Sequence, residues 1–271
     1  MTGARDFGYA QARIQARYAT LPTETEWQRL AGARGLGAYL EEARVGPLGP
    51  WLKGVSALSG THDVERGFRA LAWEQVQEVA AWVPRAWRPA VQWVAWLPFL
   101  ACFEELARAR PLPPWVLQDT RLRDLLDDKG VPSPRAMQQH GLTPLVAPGD
   151  AEHLASRWAQ EWRDRWPAPG RGERRPMEDL ADEIGAHLRA FRQGGADNAW
   201  GLRRQLRERL RLRLHQRLLQ PLTVFLYLAM VFLDLERLRG ELLRRCLFSP
   251  GVQEGRQEGG TQGTGPREGR N

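Results

Sequence analysis

The residues best able to do chemistry in this sequence are the arginines of one short stretch. Between Trp200 and Gln220 seven arginines face a single glutamate, and Leu202, Leu206, Leu210, Leu214 and Leu218 recur every fourth residue among them. At helical spacing this makes a leucine stripe flanked by guanidinium groups. Arg203, Arg207 and Arg211 on such a helix suit either a phosphate-binding face or a docking site for an acidic partner. The alternative is a solvated face whose arginine stems cover apolar surface. Nucleic acid is not expected as a partner, since zinc-finger spacing, a Gly-rich phosphate loop and aromatic–basic interleaving are all missing. Asp124, Asp127 and Asp128 lack the Gly turn and closing Glu of a calcium loop and read as a solvated helix end. The five histidines, at 62, 140, 153, 187 and 215, form no metal-ligand spacing. His62, Asp63 and Glu65 read as a helix N-terminus. Neither a Ser/His/Asp nor a Cys/His arrangement can be assembled. The expectation is a chain with no catalytic residue, no metal ligand and no cofactor.

The elements that position these residues are helical almost throughout, so the fold expected is all-α. Residues 7–18 read as a first helix with Tyr9, Ala12, Ala16 and Ala19 as a small-residue stripe. Thr23 followed by Glu26 fits a capping box, and a short helix covers 36–43. Residues 63–83 form an amphipathic helix carrying Val64, Phe68, Leu71, Val79 and Trp82. Residues 87–108 read as a greasier helix kinked at Pro98. Residues 111–148 are rich in proline, with one short helix at 116–128. Asp150 caps a helix running through Trp166, and 167–176 is a charged linker whose Pro176 suits the first turn of a helix over 177–193. The arginine-rich helix then runs from Asp197 or Asn198 to Gln220. Four segments follow: an N-terminal helical lobe at 1–110, a proline-rich middle at 111–175, a C-terminal helical lobe at 176–248 and a disordered tail at 249–271 with almost nothing apolar to bury.

The net charge of +7 is mostly supplied by the arginine stretch, and only Lys53 and Lys129 are lysine. Cys102 and Cys246 sit in apolar stretches and read as small core residues rather than a disulfide. Of the 12 tryptophans, Trp82, Trp87, Trp93 and Trp96 follow helical spacing and read as core staples rather than a membrane-interface belt. Trp51 and Trp115, beside prolines, are better placed to touch something else. The last apolar run, from Pro221 to Asp234, is greasy on every face. It falls short of the roughly 20 residues that cross a bilayer, so it reads as a central core helix. That helix emerges with Asp234, Glu236, Arg237 and Arg239 on its surface. With no signal-like N-terminus, the chain reads as cytoplasmic and soluble, or peripheral to a membrane.

Two ends of the chain resemble one family. Tyr9-Ala-Gln-Ala-Arg-Ile-Gln-Ala16 is similar to the opening helix of the C subunit of archaeal/vacuolar-type ATPases, called subunit d in the eukaryotic enzyme. A short helical pair and two longer helices follow in both. Pro221 to Leu228, leading into Asp234-Leu-Glu-Arg-Leu-Arg-Gly240, resembles the family's closing apolar helix. The stretch from Phe103 to Arg108 departs from the family, lacking its Asn before a Leu-Lys or Leu-Arg pair. The resemblance implies a lobed, funnel-like, all-helical subunit. It would lie at the inner face of the membrane, contact the proteolipid ring, receive the central stalk and transmit torque without catalysing anything. Candidate partner-binding residues are then Tyr9, Arg13, Arg17, Arg203, Arg207, Arg211, Asp234, Glu236, Arg237 and Arg239. The alternative is an independent helical adaptor that binds an acidic protein or an anionic membrane surface through the arginine-rich helix.

Overall fold

The computed structural model describes residues 4–113, 116–146, 151–168, 171–193 and 196–248. Trp115, Asp150 and the tail from 249 lie outside the described residues. Among the described residues twelve α-helices follow in chain order: α1 (Gly8–Tyr18), α2 (Glu24–Ala31), α3 (Leu36–Arg44), α4 (Thr61–Trp82), α5 (Arg88–Trp93), α6 (Leu100–Ala107), α7 (Thr120–Arg123), α8 (Pro134–Gln139), α9 (Leu154–Asp164), α10 (Arg171–Gln193), α11 (Ala196–Gln216) and α12 (Pro221–Leu247). Short 3₁₀ turns join several of them, and the described residues hold no strand, only an isolated bridge between Leu126 and Pro132. The fold is all-α, as the periodicity implied.

α12, at 27 residues about 40 Å long, is the axis of the molecule. Its first half is buried from Pro221 to Leu228 and again from Met230 to Phe232. It packs against α1, α4, α10 and α11. The large core gathers there and takes in Trp82, Trp87, Trp93 and Trp96, so these tryptophans are core staples. The same core continues through Leu112, Leu125, Met137, Leu145, Trp158 and Trp162 of the proline-rich middle. A second, smaller core forms where Leu238 and Leu242 of α12 meet Trp27, Leu30, Tyr39 and Leu40 of α2 and α3. Trp51 is half-buried between the two cores.

The stripe of Tyr9, Ala12, Ala16 and Ala19 faces outward, and the opposite face of α1 buries Ala10, Gln11 and Ile14, with Phe7 just before it. Several local expectations change. The 87–108 stretch is not one kinked helix: α5 gives way to a 3₁₀ turn at Val94–Phe99 before α6. Pro98 removes a ladder N–H, and the tighter 3₁₀ pattern carries the chain past it. At 116–128 only a 3₁₀ turn and the four residues of α7 are helical. Asp119 caps α7 by accepting from the Arg121 N–H. α10 starts before Pro176, which therefore sits inside the helix rather than in its first turn. α11 stops at Gln216. The turn to α12 puts Leu219 at φ 58°, a left-handed conformation costly for a side chain of this size. The buried Gln11 Oε1 accepts the Leu219 N–H at 3.1 Å and holds that turn against α1.

Capping follows the sequence more closely. Thr23 Oγ1 accepts from the Glu26 N–H at 3.3 Å, half of the expected box, while Glu26 turns to Arg29. Asp63 accepts from the Gly60 N–H at 3.1 Å, so the His62–Glu65 segment is indeed a helix start. Both cysteines are free thiols, each half-buried.

Candidate functional site: the arginine seam of the two chain ends

The candidate residues meet where α11, α12 and the α1–α2 corner converge. Leu206, Leu210 and Leu214 bury the inner face of α11, Leu202 is half-buried, and Leu218 lies exposed beyond its end. Arg203, Arg207, Arg209 and Arg213 beside this stripe turn to carboxylates on other helices. Arg207 donates to both oxygens of Asp234, at 2.9 and 3.0 Å, and to the Pro22 carbonyl at 3.0 Å. One side chain thus ties α11 to α12 and to the corner after α1. Arg203 reaches Glu236 at 3.4 Å. Arg209 and Arg213 share Glu183 of α10 at 2.9 and 2.8 Å, and Arg213 also donates to the Pro176 carbonyl. Arg211 pairs within its own helix with Glu208 at 2.9 Å.

Asp234 is not a surface residue: it is 1% exposed. It occupies the boundary between the all-apolar and amphipathic halves of α12, where the helix is still enclosed. A carboxylate there needs a partner, and Arg207 supplies it. Burial nevertheless pushes the Asp234 carboxyl up to about 6, against the hydrogen bonds and charge of Arg207 that pull it down. Burial is the largest single influence on Arg207 and works against its charge, but the hydrogen bonds and the negative charge of Asp234 together outweigh it and raise that guanidinium above its ordinary value.

The other charges of α12 are engaged as well. Glu236 is shared by Arg203 and by Arg239 at 3.2 Å, and Arg239 reaches Glu65 of α4 at 2.6 Å. Arg237 pairs with Glu24 at the start of α2 through two hydrogen bonds, at 2.7 and 3.1 Å, and lies over the Trp27 ring. The Arg237 hydrogen bond holds the Glu24 carboxyl below the usual range. Arg245, nearly buried, donates to the Leu30 and Ala33 carbonyls at the end of α2 and lies over Tyr39. On α1, Arg13 and Arg17 both reach Glu78 of α4, and Arg13 lies over Trp82. Tyr9 is exposed and stands apart from the seam.

A cleft of about 770 Å³ opens between the α1–α2 corner and the α11–α12 pair. It brings together Arg203, Arg207, Arg211, Asp234 and Arg237 of the expected set with Glu24, Arg204 and Trp200. Tyr9, Arg13, Arg17, Glu236 and Arg239 lie outside its lining. Glu24, Glu65, Glu78 and Glu183 could not be paired with these arginines from sequence, because each pair joins different helices, up to 213 residues apart in the chain. Gly240 was a readable signal. A glycine inside a strong helical pattern often marks a close approach, and here a Cβ would stand 3.2 Å from the Trp200 ring. Among the described residues no cluster of three or more His, Cys, Asp or Glu could hold a metal ion. No helix of the described residues is long and apolar enough to cross a membrane.

No known protein family, curated protein or solved structure matches this chain.

Proposed function

We propose that the chain is a non-catalytic subunit of an archaeal/vacuolar-type rotary ATPase, coupling the central stalk to the proteolipid ring at the inner face of the membrane. One observation supports this most: the two stretches that resemble the family, some 200 residues apart, form one packed unit. α1 lies against α12 and α4. The corner after α1 is bound to α12 through Glu24–Arg237 and through Arg207, which bridges Pro22 and Asp234. A part that transmits torque between two protein surfaces needs its ends fixed to each other, and directional guanidinium–carboxylate pairs resist sliding in a way apolar contact does not.

The second reading, an independent adaptor for an acidic partner, is favoured by Arg204 and Arg217. Both are exposed on or just beyond α11, outside the ion pairs of the seam. Affinity purification separates the two. A tagged chain recovered from gently solubilised membranes of its own cells should carry proteolipid and central-stalk subunits in fixed proportion. Recovery with none of them, under conditions where the rotary ATPase stays assembled, overturns the subunit reading.

A further inference from the structure

The end of the molecule where α12 begins gathers cations that no carboxylate holds. Phe7, just before α1, packs edge-on to Trp87, ring centroids 6.1 Å apart, and Trp87 lies 6.2 Å from Phe225 in the second turn of α12. Trp162, near the end of α9, reaches the same Phe225 at 4.9 Å. Arg213 of α11 donates to the Pro176 carbonyl of α10 at 3.0 Å. Arg85 and Arg88 flank Trp87, Arg175 precedes Pro176, and Arg217 lies one turn beyond Arg213. All four are exposed, and among the described residues their guanidinium groups make no ion pair or hydrogen bond. The carboxylates nearby are mostly taken. Glu161 and Glu178 are held by Arg165 and Arg174 at 2.6 and 2.8 Å, and Glu183 by Arg213. Asp164 accepts from the Gln160 amide at 2.8 Å, and Asp6 and Glu173 have partners of their own. Asp179, a turn beyond Arg175 on α10, offsets one of the four charges.

Between Arg217 and α12 the chain puts two leucines into water. Leu218 is 50% and Leu219 40% exposed, and Leu219 holds φ 58°, which glycine or asparagine adopts at less cost. The turn is fixed all the same: Gln11 accepts the Leu219 N–H, and the Thr223 hydroxyl donates to the Arg217 carbonyl. Neither burial nor backbone preference accounts for leucine at these two positions. Strain held this firmly points to a role outside the fold.

We infer that this end of the molecule seats directly on an anionic lipid bilayer, with Leu218 and Leu219 entering the acyl boundary and Arg85, Arg88, Arg175 and Arg217 lying on phosphate headgroups. The leucines call for an apolar medium, and the arginines call for anions around it. A bilayer supplies both wherever they fall, because its headgroups are dense and move laterally. A folded acidic partner would need a pocket for the leucine pair together with carboxylates matched to three separate places, the α4–α5 corner, the start of α10 and the end of α11. In the rotary-ATPase reading membrane contact runs through partner subunits. The contact inferred here is the chain's own and does not rest on that reading.

Flotation of the isolated full chain with protein-free vesicles tests this. Binding to equal parts phosphatidylglycerol and phosphatidylcholine should exceed binding to phosphatidylcholine alone about tenfold, and should fall as salt rises. Glycine at 219 relieves the left-handed strain, so Leu218→Ser with Leu219→Gly should keep the thermal midpoint and still lose about tenfold in binding. Arg85→Gln with Arg88→Gln should weaken binding about tenfold as well. Arg34→Gln with Lys53→Gln removes the same charge near the far end of α12, where Arg245 holds the Ala33 carbonyl and Lys53 lies by Leu242, and should change nothing. Equal binding to the two kinds of vesicle, or binding to neither, overturns the inference. Anionic binding that survives loss of both leucines overturns it too, since charge alone would then suffice, as it would on an acidic protein. A control pair as damaging as Arg85 with Arg88 would refute this end as the contact.

Discussion

From Pro221 to Leu233 α12 carries no charge, only Thr223 and Tyr227 are polar, and all but Ala229 and Leu233 are buried. From Asp234 to Leu247 the same helix meets its neighbours through Asp234, Glu236, Arg237, Arg239 and Arg245, with Leu235, Leu238 and Leu242 keeping a narrow apolar edge inward. The first half is held by removal of apolar surface from water, which is non-directional. It makes α12 central and leaves the choice of neighbour to shape. The second half is held by paired charges that fix which helix lies where: α11 through Asp234, α2 through Arg237 and Arg245, α4 through Arg239. One helix therefore carries bulk stability at its start and register at its end.

The largest expected effect lies in the apolar half. Leu228→Asp places an unpaired carboxylate in a site 1% exposed and should leave no soluble folded protein on expression. Leu226→Ala, at a fully buried position, should cost about 2–5 kcal/mol by denaturant unfolding. A loss below 1 kcal/mol there would mean that the helix is not central.

The charged half should respond to pH, and Asp234 sets the sign. Its folded pKa of about 6 lies above the ordinary carboxylate value, so the folded chain keeps a proton that the unfolded chain releases. Stability from this group is gained as pH falls below 6 and lost as pH rises through it. Relative to Asp234→Asn, the wild-type chain should gain about 1 kcal/mol between pH 7 and pH 5, read from urea midpoints at both values. Equal shifts in the two proteins would remove Asp234 as the cause. The smallest effect belongs to the rim: Glu24→Gln breaks a partly exposed pair with Arg237 and should cost less than about 1 kcal/mol, shrinking further in high salt. A larger, salt-independent cost would place that pair with the buried ones.

The apolar half was legible because it rests on residue type. A run greasy on every face, ended by Asp234, says core without any knowledge of its neighbours, and the tryptophans at helical spacing say the same. The charged half was not. Asp234 was expected on the surface because charge usually lies there, and the arginines of α11 were weighed as a docking face or a solvated one. Their carboxylates sit on helices far away in sequence, so the pattern of α11 alone could not disclose a third outcome, a seam between helices. The small-residue stripe of α1 does not by itself say which way it faces: small residues suit close packing and open surface alike, and only the neighbours decide. The basic end at the start of α12 depends on which helix ends meet there, which no single segment encodes.

The seam itself is tested most directly by a double-mutant cycle on Arg207 and Asp234. Each residue truncated alone to Ala leaves the other charge enclosed and should cost about 3–5 kcal/mol. The two changes together should cost far less than their sum, giving a coupling of about 2–3 kcal/mol by denaturant unfolding at pH 7. Additive effects within about 0.5 kcal/mol would mean that the two side chains do not meet, and that the arginines of α11 face outward to a partner instead of inward to α12.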